Sequence, residues 1–105
     1  MLDKVIIAPE YLAQLKEILR RHVPGAEVMA YGSRVTGGGH EASDLDLVVR
    51  ALDGGKLSLE DFIKLKEALT ESNIPILIEP LDWARIPESF REEILKKYVV
   101  IQEAR

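Results

Sequence analysis

Apolar positions recur along this chain with two different periods, and the switches between them lay out its elements. Tyr11, Leu12, Leu15, Ile18 and Leu19 return at helical spacing behind Pro9-Glu10, so residues 9–22 read as an amphipathic helix that Pro24-Gly25 stops. Proline suits the first helical turn, and Glu10 faces the positive end of the helix dipole. Glu27–Tyr31 is short, partly β-branched and bounded by turn residues, which predicts a strand. Residues 44–50 alternate acid and aliphatic before turning wholly apolar, the pattern of a strand with one face in a core and the other set aside.

Helical periodicity resumes at Ser58, an N-cap candidate with Glu60 and Asp61 in the first turn. Leu59, Phe62, Leu65, Ala68 and Leu69 then form one apolar face, ending near Ser72-Asn73. Residues 74–79 predict a third strand, with Pro80 removing a ladder donor at its end or edge. A last helix spans residues 88–97, with Phe90, Ile94 and Leu95 on one face and Lys96 and Lys97 at its C-terminal dipole. Residues 98–101 close as a short strand or pack as a tail, and Val5-Ile6-Ile7 forms an added strand or an arm. Helices alternating with short strands predict an α/β (α+β) fold: a small mixed β-sheet with helices packed on one face.

Composition narrows this little. A chain of 105 residues predicts one domain over 1–105, and 47% hydrophobic with 30% charged residues is ordinary for a soluble globular protein. No apolar run approaches the roughly 20 residues that span a bilayer, and the N-terminus lacks the pattern of a signal peptide, so the cytoplasm is expected. Without cysteine there is neither a disulfide framework nor a thiolate metal site. A net charge of −4 argues against strong nucleic-acid binding, although Arg20-Arg21 leaves room for a local basic patch.

The candidate chemistry lies between the first two strands, in YGSRVTGGGHEASDLDLVV. Residues i and i+2 of a strand project from one face about 6 to 7 Å apart, so Asp44 and Asp46 point together while Leu45 and Leu47 face the core. A divalent cation between two such carboxylates relieves their repulsion, and oxygen-only ligands favour Mg2+ or Mn2+. Taken alone, the pair also fits two solvated aspartates on an exposed face. Gly32 lets the backbone swing away after its strand and expose amides, and Ser33, starting a helical turn through Thr36, completes a cradle for an anion; an ordinary capping serine is the alternative. Arg34 either forks onto a phosphate or is solvated. Gly37-Gly38-Gly39 gives a mobile loop or simple slack. His22 and His40 lack metal-ligand spacing, and Trp83 and Tyr98 are too scattered for base stacking.

The combination G-S-R-x-x-G followed by S-D-L-D-L, carried by Gly32, Ser33, Arg34, Gly37, Ser43, Asp44, Leu45, Asp46 and Leu47, resembles the DNA polymerase β-like nucleotidyltransferase superfamily. Within it, the chain looks like the minimal nucleotidyltransferases of bacteria and archaea. The resemblance implies two-metal nucleotidyl transfer from a nucleoside triphosphate such as ATP. Asp44, Asp46 and a third acid would hold Mg2+ or Mn2+, and Gly32, Ser33 and Arg34 would hold the phosphates. That third position is usually aspartate; the register here puts Glu79 in it, with Asp82 beginning the next segment. The resemblance further implies a small helical partner of the HEPN type, with the chain as an antitoxin that places AMP on a hydroxyl of the toxin. The last helix and Trp83 are the expected docking surfaces, and self-association stays open. The alternative is an inactive module of the same fold that neutralises or scaffolds a partner by contact.

Overall fold

The computed structural model describes residues 7–36 and 44–105, the side chains of Ser33 and Thr36 aside. Its elements are α1 (Pro9–His22), β1 (Glu27–Tyr31), α2 (Ser33–Thr36), β2 (Leu45–Arg50), α3 (Leu59–Thr70), β3 (Ile78–Asp82), a 3-10 turn at Trp83–Arg85, α4 (Glu88–Lys96) and β4 (Val99–Gln102). The strands form one mixed sheet in the order β3-β2-β1-β4. β1 pairs antiparallel with both β2 and β4, whereas β2 and β3 run parallel. A parallel pair needs a crossover, and α3 supplies it.

Two of the helices begin where their residues say they should. Pro9 occupies the first turn of α1, with Glu10 there and Arg20, Arg21 and His22 in the last turn. The Ser58 side chain accepts a hydrogen bond from the Asp61 amide at 3.1 Å, which caps α3. The alternation of β2 divides its residues as the pattern predicts. Leu45, Leu47 and Val49 are fully buried and join Leu15 and Leu19 of α1 and Leu65 and Leu69 of α3 in the larger core.

The opposite face carries a second, thinner layer. Met29, Val48 and Ile94 form its buried centre, with Tyr31, Leu81, Trp83, Ile86 and Phe90 packed around them. Thus α1 and α3 cover one face of the sheet as expected, whereas α4, expected on that same face, lies over the other, drawn there by the apolar positions that β1 and β2 leave on it. The fold class is the α/β (α+β) mixed sheet expected, with β4 closing the sheet beside β1 rather than packing as a tail.

The third strand differs from the sequence expectation. It spans Ile78–Asp82, not residues 74–79. Ile74 is buried against the larger core without pairing, and the chain enters the sheet only where the Leu77 carbonyl accepts the Leu45 amide at 2.9 Å. Alternating isoleucines marked apolar contact there, and the ladder begins later, where β2 is alongside. Pro80 sits within the strand, which is tolerated because β3 is an edge. Val5 and Ile6 lie outside the described residues; Ile7 packs against the larger core. No helix among the described residues is long and apolar enough to cross a membrane.

Candidate active site

Pairing register builds the site across three strands. Tyr31 of β1 stands opposite Asp46 of β2, and Asp46 is in register with Glu79 of β3. Residues paired in register share a face, so these three side chains form one row on the α4 side of the sheet, at the end where β1 runs into α2. Asp44 precedes β2 by one residue and is exposed, as is Glu79, while Asp46 is half-buried between them.

Beside the row, the backbone turns at Gly32. Its φ is +84°, a region that side chains rarely adopt. A Cβ built there would lie 2.6 Å from Asp46 Oδ2. Glycine is therefore required twice over, once for the turn and once because main chain passes directly against the carboxylate. The Val35 amide donates to the Gly32 carbonyl at 3.0 Å, which closes the short turn of α2. Arg34, in that turn, is only 5% exposed, so its guanidinium is not the solvated group that one reading of the sequence allowed. The Ser33 side chain, Ser43 and the Gly37-Gly38-Gly39 loop lie outside the described residues.

Electrostatically the row is acidic and strained. Burial first, then Asp44 and then Glu79, holds the Asp46 carboxyl above its ordinary value. Burial, followed by Asp46 and Glu79, pushes the Tyr31 phenol up to about 12. Tyr31 and Asp46 thus both sense neighbouring carboxylates, whose negative charge a hard cation would relieve. The donor set is all oxygen, suiting Mg2+ or Mn2+, and the missing side chain at Gly32 keeps a Cβ from crowding Asp46 Oδ2. The fit is one of chemistry and placement. Among the described residues, no three acidic or imidazole side chains converge closely enough to hold a metal in the form they take here. Asp44 and Glu79, being exposed, have rotamer freedom, whereas Asp46 is confined.

Several other residues find structural roles. Asp82 is buried on the opposite face from Glu79 and accepts from the Leu57 and Ala84 amides and from Arg85 Nε at 3.0 to 3.1 Å. It pins the loop before α3 to the end of β3, which separates it from the row. Trp83 is half-buried with the Arg50 and Arg91 guanidinium carbons each 5.5 Å from its ring centroid, and Arg91 Nε donates to its carbonyl at 2.9 Å. It clamps α4 to the sheet rather than standing out as a docking anchor. His22 is half-buried at the end of α1, and His40 lies outside the described residues. Sequence alone does not single out Tyr31. Its position as the last residue of β1, immediately before Gly32, carries the signal, but only the register with β2 turns that position into a place in the row.

Comparison with known proteins gives the family and the fold. The family model described as "Polymerase beta, Nucleotidyltransferase" matches residues 13–105. A curated relative from Haemophilus influenzae, named a probable protein adenylyltransferase, MntA, is 46% identical over 97 residues, which cover 92% of this chain and 83% of the relative. Among solved structures, a toxin–antitoxin with AMP-PNP superposes with a TM-score of 0.72 at 18% identity, covering 93% of this chain and 76% of the other. A mutant of the toxin–antitoxin MntA–HpeT gives a TM-score of 0.72 at 16% identity, with 90% and 74% covered. At such identities the two structures speak for the fold, and the family match and the curated relative speak for descent: the chain belongs to the polymerase beta nucleotidyltransferase family.

Proposed function

We propose that this nucleotidyltransferase is a protein adenylyltransferase, which moves AMP from ATP to a hydroxyl of a partner protein. The observation that carries the reading is the row of Asp46 and Glu79, with Asp44 beside it, set against the tight turn at Gly32. Identity of 46% to a protein named for that activity supports the choice of adenylyl group and protein acceptor. Asp44, Asp46 and Glu79 are the residues that would hold Mg2+ or Mn2+. A divalent cation there supplies charge neutralisation for the triphosphate and for the developing charge at the α-phosphorus. Gly32, with the amides that follow it, Ser33 and Arg34 form the phosphate side of the site. The acceptor oxygen bonds to the α-phosphorus, the bond to the β-phosphate breaks, and pyrophosphate leaves. Glu79 takes the proton of the acceptor hydroxyl, a role in which its extra methylene relative to aspartate extends its reach.

The partner in this reading is a toxin of the small helical HEPN type, and the reaction takes place in the cytoplasm. The two solved neighbours described above are toxin–antitoxin assemblies, which supports a toxin as the partner. A second reading, neutralisation of the partner by contact without turnover, draws on one observation: the three carboxylates do not converge. One experiment separates the two. The chain is incubated with α-labelled ATP, Mg2+ and a HEPN-type helical toxin as the candidate acceptor. Magnesium-dependent label on that protein is expected, and the Asp44→Ala/Asp46→Ala double variant should transfer none. Binding of the partner without any label would instead establish the contact-only role.

A further inference from the structure

We propose that Tyr31 is a positioning residue for Asp46, its ring held in place by Phe90 of α4. The inference rests on the proposed metal role of Asp46 and assigns a task to a side chain outside the family motif quoted above. Three observations meet on it. Tyr31 is the direct antiparallel partner of Asp46, so the two side chains rise from the same face as nearest cross-strand neighbours. The phenol ring is fixed edge-on by Phe90, with centroids 5.8 Å apart and planes at 84°. The residue after Tyr31 is Gly32, whose main chain presses on Asp46 from its own side, leaving no room for a Cβ near Oδ2. Asp46 is therefore bounded by the Tyr31 ring and by the Gly32 backbone together.

The contrast with the other two acids gives this confinement its meaning. Asp44 and Glu79 are exposed, so each must lose rotamer freedom when it takes up a cation. Asp46 has already lost much of it, and its neighbours on β1 are what removed it. A ligand whose orientation is set by its surroundings binds a metal more tightly than the same group left mobile, as outer-shell partners do in general. The task needs a flat, wide side chain braced from outside the strand. Tyr31 has that brace because α4 lies on the same face as the row, bringing Phe90 to its edge. The ring is the operative part; the hydroxyl is not required.

The test reads the cation directly, without turnover. Mn2+ is titrated into the intact chain and free Mn2+ is followed by electron paramagnetic resonance, with thermal unfolding recorded for every variant. The wild-type chain is expected to bind Mn2+, and Tyr31→Leu to bind it about 10-fold more weakly. Tyr31→Phe should restore affinity to within about twofold, since it keeps the ring. Phe90→Leu should fall between them, and the double variant Tyr31→Leu/Phe90→Leu should be no weaker than Tyr31→Leu alone, because both act through one ring. Should Tyr31→Leu fail to fold, Tyr31→Met serves in its place. Folded Tyr31→Leu with wild-type Mn2+ affinity would show a packing role only and overturn the proposal. Tyr31→Phe as weak as Tyr31→Leu would also overturn it, by making the hydroxyl the active part. If the wild-type chain itself binds no Mn2+, the metal reading of the row fails instead, and the two failures are thereby told apart.

Discussion

The two faces of the sheet are built from the same strands and have opposite characters. On the side of α1 and α3, fifteen buried residues among those described form one continuous core. On the side of α4 the buried centre is only Met29, Val48 and Ile94, and the strand ends beyond it carry Tyr31, Asp46 and Glu79. β2 shows the division within six residues: Leu45, Leu47 and Val49 face the first side, Asp46 and Val48 the second. One face supplies the stability that allows the other to keep carboxylates close together. A like-charged row is tolerable only on a framework fixed from behind, so the faces should respond in opposite ways to mutation.

The largest effect belongs to the thin face. Asp46→Asn should lower nucleotidyl transfer by roughly a hundredfold or more, since a site of this kind rests several kcal/mol of transition-state stabilisation on its charge. The same variant should melt at a higher temperature than wild type when measured at neutral pH with a metal chelator. The Asp46 carboxyl is raised by burial, Asp44 and Glu79, so its contribution to stability is present at low pH and lost as pH rises through that raised value. Ionised and without a cation, Asp46 costs the native state; asparagine removes that cost. Mg2+ at ten times its dissociation constant should stabilise wild type by about 1.4 kcal/mol and leave the variant nearly unmoved.

The converse holds one residue later. Leu47→Ala, on the thick face, should cost about 3 kcal/mol in chemical denaturation through the cavity it leaves. Any loss of activity should follow the unfolded fraction. Gly32→Ala crosses the comparison, because it strains a positive-φ turn and drives a methyl group against Asp46 Oδ2. It should cost about 1 to 3 kcal/mol and weaken Mn2+ binding as well, a joint effect that neither face shows alone. The smallest change is expected at Leu95, about half exposed on α4, where Leu95→Ser should stay within about 0.5 kcal/mol in thermal melts. A larger cost would mean that the α4 layer is better covered than its thin core implies.

Much of this division was legible in the residues, because it depends on period. The helix over Pro9–His22, the strand Glu27–Tyr31 and the Ser58 cap needed only local spacing and turn chemistry, and they stand where expected. What could not be read depends on register. Residues 74–77 alternate as a strand would but pack without pairing, since the ladder starts only where β2 lies alongside. Tyr31 was invisible as a member of the row for the same reason: its place follows from pairing with Asp46, across a loop whose length hides the match. The seat of α4 is also non-local, because its apolar stripe fits either face until Met29 and Val48 select one. For the candidate site, the motif residues from Gly32 to Asp46 and the place of Glu79 came from the sequence and its family resemblance. The alignment of Tyr31, Asp46 and Glu79 into one row came from the sheet.

Calorimetric titration of ATP into the intact chain, with and without Mg2+, alongside the Asp44→Ala/Asp46→Ala variant, probes the proposed site without any acceptor. Saturable binding that requires Mg2+ is expected in the wild-type chain and should disappear in the double variant. ATP binding that is unchanged by Mg2+, or retained by the double variant, would rule out a metal-bridged nucleotide site at these aspartates.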